Sequence, residues 1–95
     1  MIIRCWLPRK LNGIAWFPNL AVVSSRLSGD ELKRVESHEQ IHLIQQKELG
    51  YLKWLFQYVV WHFVFGYSNN PFEVDAREFQ YNIQSRPIKN WIKHG

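Results

Sequence analysis

The sequence predicts an α+β domain: a small N-terminal antiparallel sheet, then a central helix, an aromatic helix and a third helix. Three features point there. Short β-prone runs broken by turn residues fill the first 24 positions. A marked helix start at Ser28 leads to a glycine stop at Gly50. After an aromatic run, Asn70-Pro71 opens another helical stripe. The 95 residues are expected to make a single domain, 1–95, with room for a modest core and nothing appended.

Ile2 to Leu7 (IIRCWL) is apolar and β-prone, the first predicted strand. Pro8 to Gly13 is a polar turn with Asn12-Gly13 as its punctuation. Ile14 to Phe17 is the second strand, and Leu20, Ala21, Val22, Val23 and Ser24 form the third, with Pro18-Asn19 between them. Ser28 and Glu31 have the spacing of a capping box, flanked by Leu27 and Leu32 as a hydrophobic staple. The apolar residues of the helix that follows, Leu32, Val35, Ile41, Leu43, Ile44 and Leu49, do not fall in one stripe, which suits a helix covered on more than one side.

Residues 51–66 (YLKWLFQYVVWHFVFG) are almost continuously apolar. A membrane span needs about 20 such residues, and this run is interrupted by Lys53, Gln57 and His62. It is expected as a buried second helix packed on the first. A small protein has trouble hiding so many rings, so a homo-oligomer, protein-partner or membrane-surface contact through this helix is the alternative. In the third helix Phe72, Ala76, Phe79 and Ile83 form the core stripe, and Ser85-Arg86-Pro87 ends it. Ile88, Trp91 and Ile92 suggest a short amphipathic tail helix with Lys89 and Lys93 facing water.

Composition narrows the function. With 46% hydrophobic and 21% charged residues the chain is globular. The lone Cys5 excludes an internal disulfide framework and any Cys-rich zinc site. The net charge of +4 is scattered and accompanies no nucleic-acid motif, so no nucleic-acid partner is expected, while an acidic one is compatible. The N-terminus MIIRCWLPRK lacks the long apolar stretch of a signal peptide. The expected location is the cytoplasm, or a virion if the chain is phage-encoded.

The chemistry sits in His38-Glu39-Gln40-Ile41-His42, an HExxH pattern in the middle of the first helix. Residues four apart lie about one turn apart on the same face, so His38 and His42 can offer nitrogens to one Zn²⁺. Glu39 is then placed to act as general base. A catalytic zinc wants three protein ligands. Glu48 is carried off the histidine face by a continuing helix, because Gln45 stands where a breaking glycine would be needed. His62 and Asp75 are further candidates. Glu73, beside the apolar stripe of the third helix with the small Ala76 one turn on, fits best. Its competing role is local, as the carboxylate three residues after the N-cap Asn70.

HEQIH at 38–42 with Glu73-Val74-Asp75-Ala76 in the frame NPFExDA resembles the gluzincin type of zincin metallopeptidase, with its HExxH helix and downstream ExxA. Over roughly residues 14–84 the chain resembles the compact, single-domain zincin-like proteins of phage and bacterial genomes, which share the short sheet, glutamines after the motif (Gln45 and Gln46) and an aromatic second helix. The resemblance implies a minimal zincin fold, zinc bound by His38, His42 and Glu73, and Glu39 as the base. The implied activity is hydrolysis of a peptide bond in a peptide or protein substrate. Tyr51 and Tyr67 are the candidate oxyanion donors, and Leu20 to Ser24 the candidate edge for pairing an extended peptide. Arg77 stands where many gluzincins carry an acidic residue supporting a ligating histidine, which leaves that support to Asp75 or a backbone carbonyl. No second lobe is expected to form the far wall of a cleft. The rival expectation is a catalytically silent zincin-fold structural or interaction protein.

Overall fold

The computed structural model describes residues 1–7 and 11–95, so the turn expected from Pro8 to Gly13 falls partly outside the described residues. Three strands precede three helices: β1 (Ile2–Cys5), β2 (Gly13–Phe17), β3 (Leu20–Ser24), α1 (Gly29–Leu49), α2 (Tyr51–Phe65) and α3 (Pro71–Phe79). Two 3₁₀ segments, Ile83–Ser85 and Asn90–His94, complete the chain.

The sheet is mixed, which corrects the expected antiparallel arrangement. Its order is β1-β3-β2. β3 pairs antiparallel with β2 and parallel with β1, in the register Ile2↔Ala21 to Cys5↔Ser24. The physical reason is burial. LAVVS is the most apolar strand and is buried over nearly its whole length, so it takes the central position, where side chains are covered most completely. β1 carries the exposed Arg4, and β2 the exposed Trp16 and Phe17, so these form the edges. Gly13 begins β2 instead of punctuating a turn.

α1 lies across the sheet. Its capping box does not form: Ser28 sits at the N-cap, but its hydroxyl caps no amide. The next residue, Gly29, has φ +59, a left-handed conformation that glycine adopts without strain. Asp30 and Glu31 still place negative charge at the positive end of the helix. The staple side of the expectation holds: Leu27 is buried with Val23 and Val35, and Leu32 packs on that cluster. Gly50, at φ +94, ends α1 and gives its N–H to the Gln46 carbonyl at 2.7 Å. The neighbouring Gln46 side chain donates to the carbonyls of Ala15 and Phe17 and accepts from the Asn19 N–H, pinning the β2–β3 hairpin to α1.

α2 departs from expectation. Only Trp54 and Tyr58 are buried, and they join Phe72 and Trp91 in an aromatic core. The outer face carries Leu52 (77% exposed), Phe56 (72%) and Phe63 (83%) in a solvent-facing ridge. A domain this small has too little chain to cover both faces of a helix so rich in rings. Among the described residues no helix is long and apolar enough to cross a membrane.

α3 starts as its sequence indicates. Asn70 Oδ1 accepts the Phe72 N–H at 3.0 Å, with Pro71 at the first helical position. The helix ends at Phe79, earlier than the expected stop near Ser85. The tail also differs: Trp91 is buried, whereas Ile88 and Ile92 are exposed.

A buried ion cluster closes the tail onto the body. Arg86 bridges Glu48 of α1 (2.8 Å) and Asp75 of α3 (2.7 Å), with its own side chain 3% exposed. Glu48 also accepts from the Lys89 N–H and from Trp91 Nε1, while Asn90 Nδ2 donates to Asp75. Burial would raise Glu48, but its bonds to Arg86, Lys89 and Trp91 and the guanidinium charge hold it below the usual carboxylate range. Its contribution is therefore fully present above the ordinary value of 4.5 and is lost as pH falls through the lowered one. Removing the cation leaves two carboxylates facing each other away from water, so Arg86→Met is expected to cost about 3–5 kcal/mol. Urea unfolding of the metal-free chain checks this, and a midpoint matching the parent's would show the cluster to be energetically neutral.

Candidate metal centre

Helix α1 brings His38 and His42 to one face, and α3 crosses it so that Glu73 meets both. His38 Nε2 lies 2.8 Å and His42 Nε2 3.2 Å from the same oxygen, Glu73 Oε1. The three donor atoms fall within 4.8 Å of one another. Around a tetrahedral zinc with bonds of about 2.0–2.1 Å, ligand atoms stand about 3.3 Å apart, so the donor set fits such an ion with small adjustment. Glu73 does no capping work: its carboxylate turns to the histidines, and the cap is supplied by Asn70 alone.

Each ligand is held from behind. His42 Nδ1 lies 2.9 Å from Gln45 Oε1. The orientation of that amide is fixed by its other partners: Gln45 Nε2 donates to the Phe72 carbonyl (2.9 Å) and Asp75 Oδ2 (2.8 Å), and Oε1 also accepts from Trp54 Nε1 (3.1 Å). Nδ1 must therefore carry the proton it donates, which leaves Nε2 as the nitrogen presented to a metal. His38 Nδ1 lies 3.0 Å from Gln80 Oε1. On Glu73, Oε2 accepts the Tyr58 hydroxyl at 2.7 Å, so Oε1 faces the histidines. Tyr58 is in turn tied by its carbonyl to Asn70 Nδ2.

The metal-free charges balance through protons. Burial would lower His42, but the adjacent Glu73 carboxylate, then Glu39 and the Gln45 bond, push it up to about 9. Burial would raise Glu73, yet the charges and hydrogen bonds of His42 and His38 hold it far below the carboxylate range. A divalent ion bound here would displace the proton that these groups hold.

Glu39 is 6% exposed and lines a cavity of about 330 Å³ with His38, His42 and Glu73. Burial pushes its carboxyl up, against the pull of His42 and His38. Its Oε2 has no hydrogen-bond partner. A buried carboxylate oxygen left unbonded beside two histidines and a second carboxylate is an orphaned acceptor that a bound group could satisfy. β2 closes over it, and a Cβ on Gly13 would lie 3.0 Å from Glu39 Cγ and Oε1, so a side chain there would press on the Glu39 carboxylate.

The other expected site residues divide. Tyr67 lines the cavity, and burial followed by the Glu73 and Glu39 carboxylates pushes it up to about 12. Tyr51 does not line it; its hydroxyl donates to the Trp16 carbonyl at 2.6 Å. Leu20 to Ser24 cannot serve as a pairing edge, because β3 has a neighbour on each side, and the edge strand along the cavity is β2. Glu48 belongs to the Arg86 cluster, and His62 is exposed on α2. Asp75 stands outside the His38–His42–Glu73 cluster and reaches His42 through Gln45, whose amide bonds both. Sequence reasoning gave no role to Gln45 as a ligand support, nor any to Tyr58 or Gln80. The one available signal was position, since Gln45 follows His42 by three residues and shares its helix face. Comparison with protein-family models, curated proteins and solved structures finds no match.

Proposed function

We propose that the chain is a zinc-dependent peptidase of the gluzincin type, with His38, His42 and Glu73 as metal ligands and Glu39 as general base. The observation that carries the reading is the convergence of two Nε2 atoms and one carboxylate oxygen beside the unbonded Oε2 of Glu39. A zinc ion held there supplies a Lewis acid that polarises a carbonyl and lowers the pKa of water to about 7. Glu39 takes the proton of the attacking water and returns it to the leaving amine. Tyr67 stays protonated at neutral pH and gives its O–H to the developing oxyanion. The free edge of β2 offers backbone groups to an extended peptide.

About one Zn²⁺ per chain is expected on purification or addition. Elemental analysis checks it against His38→Ala and His42→Ala, and zinc retained by both variants at the parent's level would sink the site. One observation favours the non-catalytic reading, an interaction protein on the same fold: the uncovered apolar ridge of α2. A broad peptide library left uncut by the zinc-loaded chain would favour that reading.

A further inference from the structure

The two helices that supply the ligands each carry an arginine one turn from a ligand. Arg34 precedes His38 by four residues on α1, and Arg77 follows Glu73 by four on α3. A helical turn is about 5.4 Å, and both arginines line the cavity. Arg77 is oriented by its bond to the Ser68 carbonyl. Arg34 is half-buried, and among the described residues it forms no ion pair. Among the described residues, the only carboxylates lining the cavity are Glu39 and Glu73. Glu73 is engaged by two histidines and a phenol, and neither carboxylate is paired with Arg34 or Arg77. Two guanidiniums therefore border the site with no acidic group of the described cavity wall set against them. Apolar walls, here Leu11, Ile14 and Trp16, strengthen the field such a pair projects into the opening.

We infer that the cavity selects peptides bearing a carboxylate next to the bond presented to the metal, with Arg34 and Arg77 as its specificity-determining residues. Cleavage of that bond rests on the hydrolytic reading above, whereas the preference itself is a matter of binding. A guanidinium meets a carboxylate through paired N–H donors, which a neutral amide cannot match. One turn from a ligand is about the reach of an aspartyl or glutamyl side chain flanking the scissile carbonyl, or of a peptide's terminal carboxylate. A lysine at the same place meets two like charges and is rejected.

The test is binding to the Glu39→Gln chain, with and without added Zn²⁺, by calorimetry. Matched short peptides differ only as Asp against Asn at one internal position, or as free acid against amide at the C-terminus. Tighter binding of a carboxylate form by about tenfold is expected, and whichever pair shows it identifies the source of the charge. Arg34→Gln and Arg77→Gln should each reduce the preference and together abolish it, while Arg34→Glu with Arg77→Glu should turn it toward a lysyl peptide. Equal binding within both pairs, or no binding of any peptide, overturns the inference. Turnover by the parent chain is read separately. A chain that binds acidic peptides preferentially but cuts none keeps this inference and defeats the hydrolytic reading. One that binds and cuts neutral peptides equally well does the reverse.

Discussion

Glu39→Gln is expected to keep zinc at the parent's stoichiometry and to slow hydrolysis of any accepted peptide by about 10²-fold or more. The amide matches the carboxylate in shape, which matters where β2 closes so tightly over the side chain that a Cβ on Gly13 would lie only 3.0 Å from it. What the substitution removes is proton acceptance at Oε2, the oxygen with no bond of its own. The ligands and their supports are untouched, since neither Gln45, Gln80 nor Tyr58 bonds Glu39. A structural role would give a different pattern, with a shifted unfolding midpoint and unchanged turnover per folded molecule. Peptide turnover measured beside metal content separates the two. Equal rates for variant and parent would remove Glu39 from proton transfer.

Glu73→Gln is expected to weaken zinc binding by orders of magnitude, the largest effect on affinity from one isosteric change. An amide oxygen is neutral and a poor zinc donor, and the proposed site would keep, among the described residues, two histidines. In the metal-free fold the amide can still accept from Tyr58, so the loss there is confined to charge-assisted bonds with His38 and His42, about 1–3 kcal/mol. Competition with a chromophoric chelator measures the affinity, and thermal unfolding of the metal-free protein measures the fold. A variant that holds zinc as tightly as the parent would take Glu73 out of the ligand set.

The parts legible in the sequence were those whose geometry is local. HExxH places two histidines on one face by helical period alone, and Asn70-Pro71 announces the start of α3, which orients Glu73. Strand order was not legible, because β-propensity in LAVVS records that a strand is buried but not which neighbours it takes. The same limit misplaced the pairing edge, assigned to β3 when β2 holds it. α2 misled in another way: its composition reports apolar side chains, and the amount of chain left to cover them is a property of the whole fold. Gln45 and Tyr58 were hidden by their type. A glutamine on a helix reads as surface, and a tyrosine in an aromatic run reads as core, until Asp75 and Glu73 arrive from some 15–30 residues away.

The two faces of α2 set a mechanical tolerance for the site. Its inner face holds Tyr58, whose hydroxyl fixes Glu73 Oε2 at 2.7 Å, and its outer face is the ridge of Leu52, Phe56 and Phe63. An O–H···O bond weakens beyond about 3.0 Å, so an outward displacement of α2 that the Tyr58 side chain does not follow loosens its hold on the carboxylate. A load on the ridge therefore reaches Glu73 through the Tyr58 phenol, and reaches α3 also through the Tyr58 carbonyl on Asn70 and the packing of Trp54 and Tyr58 on Phe72.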